Sequence, residues 1–162
     1  MQREKKVFPL AGGLNTAQSF AVLGSAGKFI HHKHAWQVWR TLKQFGCIVF
    51  PVAKELKRLE GSKVYPELLT LQGKIDVVVP CLLPEEMPGL VAESGNAGVK
   101  YIWFQEQTWT PEFAEQCSHM GIISIRGCVL QHKKFRKPLA FARPCYWHGL
   151  REPKVLPKRF VW

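Results

Sequence analysis

A glycine-rich junction near the start of the chain carries the residues best suited to bind an anion. Residues 24–34 read GSAGKFIHHKH and follow a short apolar run. Small residues let the backbone approach a phosphate closely, and the free N–H groups at the start of a helix favour negative charge. Lys28, Lys33 and the histidines would add positive charge. The junction therefore predicts a phosphate-binding turn, although a tight turn without a ligand is the alternative because the glycines do not spell GxGxxG.

A lysine stands where NAD-dependent enzymes usually carry an acid. Residues 50–58 read FPVAKELKR, and Lys54 follows the second apolar run of the chain. An acid at this place binds the ribose hydroxyls of NAD, whereas a lysine favours a ribose phosphate. The pattern indicates a phosphorylated ribose, although the adjacent Glu55 leaves NAD open.

The candidates for metal binding and for nucleophilic catalysis are weaker. His31, His32 and His34 are clustered, but one four-residue stretch rarely supplies three ligands to one tetrahedral ion, so we interpret them as part of a basic loop. Cys81 follows an apolar run and would lie at the edge of a sheet, where a nearby cation could activate its thiol. A buried thiol that packs as a small hydrophobe is the favoured interpretation. We therefore expect neither a catalytic group nor a metal site.

The apolar pattern predicts the elements that would position these residues. Continuous apolar runs alternate with helical stretches, which is typical of a parallel sheet covered on both faces. The prediction is a doubly wound, three-layer α/β domain with a parallel sheet of about five strands. The strands are expected at 20–23, 47–52, 75–79, 101–104 and 122–125, and the main helices at 35–45, 84–92 and from an N-cap at Thr110 to about residue 119.

The chain divides into one domain and an extension. We expect a domain over residues 1–131, with its core at 19–131, and an irregular extension over 132–162. The extension holds four prolines, six aromatic residues and nine basic residues against one acid. It is interpreted as a strap that covers the domain or reaches a second copy or partner subunit. Binding of single-stranded nucleic acid by the extension is the less favoured alternative.

The distribution of charge and the spacing of the cysteines indicate the class of protein. The net charge is +11, with eight basic and two acidic residues over 28–63 but three basic and eight acidic residues over 64–131. The five cysteines are widely spaced and form no CxxC pair, which favours buried thiols in a reducing compartment. Without a signal peptide or an apolar run long enough to span a membrane, the sequence predicts a soluble, cytoplasmic protein.

Six segments in order give the sequence a resemblance to a known family. They are FAVLGS, GCIVFPVAKE, LEGSKVYPEL, KIDVVVPCLLPEEMPGLV, GVKYIWFQ and GIISIRGCVL, and they run over about residues 19–130. The sequence resembles the small, single-domain CoA-binding proteins, whose domain is also the N-terminal CoA-binding domain of the succinyl-CoA synthetase α subunit.

The resemblance implies a Rossmann-like domain that holds CoA across the ends of its strands. It places the pyrophosphate at Gly24, Ser25 and Ala26. The glycine-rich junction adds Gly27 and Lys28 to the expected binding residues, because they continue the same turn. It further implies that Val52 and Lys54 flank the adenosine 3′-phosphate, that Pro80, Cys81 and Pro84 line the pantetheine path, and that Gln105 lies opposite.

Three functions remain open from the sequence. The leading one is a non-catalytic module that binds CoA or acyl-CoA, because the phosphorylated histidine of the synthetase belongs to another domain. The second is an enzyme that uses a phosphorylated nucleotide such as NADP. The third is a nucleic-acid or protein interaction module that acts through the basic extension, since Ala53 and Lys54 replace the Asn-Pro pair usual in the family.

Overall fold

A computed structural model describes residues 7–132, and a five-stranded parallel sheet forms its centre. The strands are β1 Ser19–Leu23, β2 Ile48–Val52, β3 Arg58–Leu59, β4 Ser62–Lys63, β5 Val77–Pro80, β6 Tyr101–Phe104 and β7 Ile123–Arg126. The sheet order is β2-β1-β5-β6-β7, while β3 and β4 form a separate hairpin. The chain moves outward from β1 to β2 and then returns to β5 on the other side of β1. The strand order therefore reverses between β1 and β5, which is where doubly wound folds bind ligands.

Helices cover both faces of the sheet. They are α1 Ala26–Ile30, α2 His34–Gln44, α3 Leu90–Asn96 and α4 Pro111–Met120. Alternate residues of β1 enter two different cores: Phe20 and Val22 pack with α2, whereas Ala21 and Leu23 lie in the core shared with α3 and α4. This alternation follows from the two-residue period of a strand and confirms the predicted three-layer α/β fold. Within residues 7–132, no helix has the length and apolar character needed to cross a membrane.

The helix ends follow local sequence signals. The prediction of a helix at 35–45 is confirmed by α2, after which Gly46 adopts a positive φ of 87°. Thr110 caps α4, because its hydroxyl accepts a hydrogen bond from the Phe113 N–H at 3.1 Å. Gly121 ends α4 in the left-handed conformation, with φ 69°. A glycine is favoured at both ends because it has no Cβ to oppose a positive φ.

Two segments are less regular than a simple helix or strand. The helix expected at 84–92 begins as a 3₁₀ turn over Pro84–Glu86, and α3 starts only at Leu90. Pro88 delays the helix because proline has no N–H to donate. Lys63 ends β4, and after the hairpin Tyr65 forms an isolated parallel bridge with Val52. The strap expected at 132–162 lies outside the described residues, apart from the backbone of its first residue.

The cap at Thr110 gives the first testable prediction. Replacing Thr110 with Ala removes the acceptor for the Phe113 N–H and should lower the free energy of unfolding by about 1 kcal/mol. Thr110→Ser keeps a hydroxyl at the cap and should remain within a few tenths of a kcal/mol of the wild type. Urea unfolding monitored by circular dichroism measures both variants. Equal losses of unfolding free energy in Thr110→Ala and Thr110→Ser would show that the hydroxyl cap contributes no stability.

Candidate functional site

Gly24 directly follows the last residue of β1. It lies so close to neighbouring side chains that it has no room for a side chain of its own. Its N–H donates to the Val52 carbonyl at 3.0 Å, which continues the pairing between β1 and β2. A Cβ on Gly24 would lie 2.8 Å from the Cβ of Ala35 and 2.8 Å from Cε2 of the Phe29 ring. The turn after β1 is therefore packed directly against α1 and α2, and only glycine permits this approach.

The outer side of the same turn is open. Ser25 caps α1 with an extended backbone, and its hydroxyl accepts a hydrogen bond from the Lys28 N–H at 3.3 Å. The first N–H groups of a helix have no partner within the helix. Gly27 is exposed, and a Cβ on it would meet nothing nearer than the His31 ring at 4.0 Å. The turn is thus closed by packing on one side and accessible on the other.

Strand pairing brings the predicted site residues of three strands together. Leu23 at the end of β1 is opposite both Val52 on β2 and Pro80 on β5. Cys81 continues from Pro80, and its N–H donates to the Leu23 carbonyl at 2.8 Å. The predicted pyrophosphate turn therefore lies between the two neighbouring strand ends that the resemblance assigns to the rest of CoA. Pro84 follows in the half-buried 3₁₀ turn after β5.

Cys81 is a buried thiol, as the sequence interpretation favoured. Burial raises its pKa far above the ordinary value for cysteine, and the nearby charge of Lys28 opposes this rise to a smaller extent. A thiol in this environment stays protonated at neutral pH and is a poor nucleophile. Lys28 lies on α1 directly after β1, at the same edge of the sheet as Cys81. The other cysteines of the described residues, Cys47, Cys117 and Cys128, are likewise buried.

The end of β2 is held by a segment that follows the β3–β4 hairpin. The Ala53 N–H donates to the Tyr65 carbonyl at 2.9 Å, and the Tyr65 N–H donates to the Pro51 carbonyl at 3.0 Å. These hydrogen bonds fix the backbone at Ala53 and Lys54, the two positions where the family that the sequence resembles usually has Asn-Pro. Ala53 is buried, and the next residue, Lys54, is exposed two positions after the end of β2.

Gln105 is the centre of a buried hydrogen-bond network. Its Oε1 accepts from the Val129 N–H at 2.9 Å and lies 3.1 Å from Nε2 of His34. Its Nε2 donates to the carbonyls of Gly127, at 3.1 Å, and Trp103, at 3.3 Å. The side chain is only 1% exposed, so both its polar atoms are engaged inside the protein. No local sequence pattern predicts this role, because most of the partners are distant along the chain.

The three clustered histidines do not converge. His34 is buried at the start of α2, facing Gln105, whereas His31 and His32 are exposed. His32 has a positive φ of 52° and stacks on Trp36 with 3.8 Å between ring centroids. Across residues 7–132, no group of three or more His, Cys, Asp or Glu side chains is arranged to hold a metal ion.

The Gln105 network gives a second prediction. Gln105→Leu leaves the Val129 N–H and the Gly127 carbonyl without their buried partner, so the free energy of unfolding should fall by about 3 kcal/mol. Gln107→Leu changes a half-exposed glutamine in the same loop and should cost less than about 0.5 kcal/mol. Urea unfolding of both variants measures the difference. Similarly small losses of unfolding free energy in Gln105→Leu and Gln107→Leu would show that the Gln105 network adds no stability.

Comparison with known proteins places the fold in a family. A family model described as a CoA binding domain matches residues 18–133, which is more than half of the chain. A hypothetical protein from Pyrococcus horikoshii is 27% identical, with a TM-score of 0.61, and the match covers 68% of this chain and 76% of the other. A protein from Thermus thermophilus is 25% identical, with a TM-score of 0.64, over 73% and 90% of the two chains.

A larger enzyme contains a domain of the same fold. The match to a dinucleotide-forming acetyl-CoA synthetase from Candidatus Korarchaeum cryptofilum has 24% identity and a TM-score of 0.56. It covers 66% of this chain but 25% of the synthetase, so the likeness concerns one domain and shows the fold alone. No curated protein matches the chain significantly. Because the family model covers the sheet, the turn at Gly24 and every predicted site residue, the chain belongs to the CoA-binding domain family.

Proposed function

We propose that this protein binds CoA or acyl-CoA without catalysing a reaction of its own, and that the turn from Gly24 to Lys28 holds the pyrophosphate. Membership of the CoA-binding domain family supports CoA as the ligand. The observation that carries the position is the asymmetry of the turn, which is packed tightly at Gly24 and open at Gly27. Phosphate sites at the start of a helix use backbone N–H groups that the anion can approach closely.

The charges around the turn support the proposal. Lys28 lies near the carboxyl ends of β1 and β5, where its charge acts on Cys81. Lys54 emerges at the end of β2, and its exposed ammonium group can reach the 3′-phosphate of the adenosine. The pantetheine arm would then run past Pro80, Cys81 and Pro84. Gln105 supports this edge of the sheet through its internal hydrogen bonds rather than by contact with the ligand.

The burial of Cys81 and His34 supports a binding role without catalysis. The Cys81 thiol is fully buried and its raised pKa disfavours the thiolate. His34 at the start of α2 is 1% exposed and faces Gln105. Neither group is placed to attack a thioester at the open side of the turn. Chemistry on an acyl group would therefore come from a partner protein.

Isothermal titration with CoA tests the pyrophosphate position. Lys28→Gln removes a charge beside the turn and should weaken CoA binding about tenfold, which corresponds to about 1.4 kcal/mol for one charge-assisted interaction. Lys74→Gln removes an exposed lysine before β5, away from the turn, and should leave the Kd unchanged within about twofold. Equal effects of the two substitutions would contradict the assigned position.

A comparison of ligands completes the test. CoA should bind more tightly than dephospho-CoA, and Lys54→Gln should remove this preference because the 3′-phosphate is the only group that differs. NADP serves as the competing ligand from the second hypothesis. Tighter binding of NADP than CoA would favour a nucleotide-dependent enzyme, and absence of binding to all three ligands would overturn the proposal.

A further inference from the structure

The basic and acidic residues of the described chain come from different segments. Residues 28–63, which include α2, β2 and the β3–β4 hairpin, hold eight basic and two acidic residues. Residues 64–131, which include α3 and α4, hold three basic and eight acidic residues. The net charge of +11 therefore conceals one strongly basic segment and one acidic segment.

Contacts between α2 and the hairpin join the basic residues into one surface. Glu60 at the hairpin turn accepts a hydrogen bond from the Trp36 indole N–H at 3.1 Å and pairs with Arg40 at 3.6 Å. Lys43 donates to the Ser62 hydroxyl at 3.5 Å. We call this surface the basic face, and its basic residues are Arg40, Lys43, Lys57, Arg58 and Lys63.

Aromatic rings beneath the basic face orient its cations. The Arg40 guanidinium carbon lies 5.1 Å from the centroid of the Trp36 ring, and Lys43 Nζ lies 4.9 Å from that of Trp39. Lys63 Nζ lies 5.0 Å from the centroid of the Tyr65 ring, which packs with Phe50 against the core on the other side of the sheet. An open cavity of about 310 Å³ is lined by Trp39, Arg40, Lys43, Gln44 and Glu60.

We propose that the basic face binds single-stranded nucleic acid. Proteins that bind single strands combine a positively charged groove with aromatic side chains on which bases stack. The basic face presents exposed cations beside the half-buried Trp36 ring, while Trp39 is only 2% exposed. A protein partner is less well matched, because protein interfaces have an apolar centre. None of the large exposed hydrophobic residues of the described chain lies on α2 or the hairpin. The C-terminal extension cannot neutralise this face, since residues 132–162 hold nine basic residues and one acid.

Fluorescence anisotropy of the full-length chain with a labelled single-stranded RNA 12-mer tests the proposal. The variant K43E/R58E reverses two charges of the basic face and should raise the Kd at least about tenfold, while the slope of log Kd against log salt falls by about 1.4 for two lost phosphate contacts. The control K74E/K100E reverses two exposed lysines outside this face. Both variants carry the same net charge, so the control should stay within about threefold of the wild type.

Each other outcome would overturn the assignment. Equal weakening in both variants would show general attraction to a basic protein, and unchanged binding in K43E/R58E would place the contact elsewhere, for example in the extension. Competition by polyglutamate at the same charge concentration as RNA would indicate an acidic polypeptide as the partner. Thermal unfolding checks that the variants are folded, and K43Q/R58Q replaces the charge reversal if K43E/R58E is not. The milder pair should still weaken RNA binding more than K74Q/K100Q.

Discussion

The close approach of the backbone at Gly24 is the constraint on which the site depends. The residue bonds to the end of β2, while the space where a Cβ would lie is filled by Ala35 of α2 and by the ring of Phe29. This packing positions the start of α1 and the first turn of α2 against the carboxyl edge of the sheet. A side chain at Gly24 would push these elements apart and would also displace the backbone that is proposed to contact the pyrophosphate.

A second set of contacts holds the opposite part of this edge. Gln105 connects the end of β6 with the start of α2 and with the turn after β7. Buried amides that satisfy several backbone groups at once give a rigid geometry, because each lost partner would leave an unpaired polar atom. The candidate site is therefore bounded by a packed glycine on one side and by a satisfied hydrogen-bond network on the other.

The fold follows from local sequence patterns, but parts of the site do not. Continuous apolar runs correctly indicated all five sheet strands, and Thr110 with Pro111 correctly marked the start of α4. The proximity of His31, His32 and His34 in sequence was misleading about geometry, since the positive φ of His32 turns the chain and sends His34 into the interior. The role of Gln105 depends on contacts with residues up to 71 positions away, which no local pattern contains.

The two proposals use cations at different places in the fold. Those of the basic face lie on α2 and around the β3–β4 hairpin, which hydrogen bonds from Trp36 and Lys43 hold together. The turn at Gly24 lies at the carboxyl edge of the sheet, where the ends of β1, β2 and β5 meet. A small anionic ligand at this edge and a longer polyanion on the basic face would use different groups of cations.

An NMR titration of ¹⁵N-labelled protein with CoA, which follows the backbone amide of each residue, tests whether the turn after β1 holds the pyrophosphate. If the turn binds the pyrophosphate, the largest chemical-shift changes occur at Ser25, Ala26, Gly27 and Lys28, with smaller changes near Lys54. Largest changes on α2 and the β3–β4 hairpin, or saturation with no change at residues 24–28, would show that the pyrophosphate binds elsewhere.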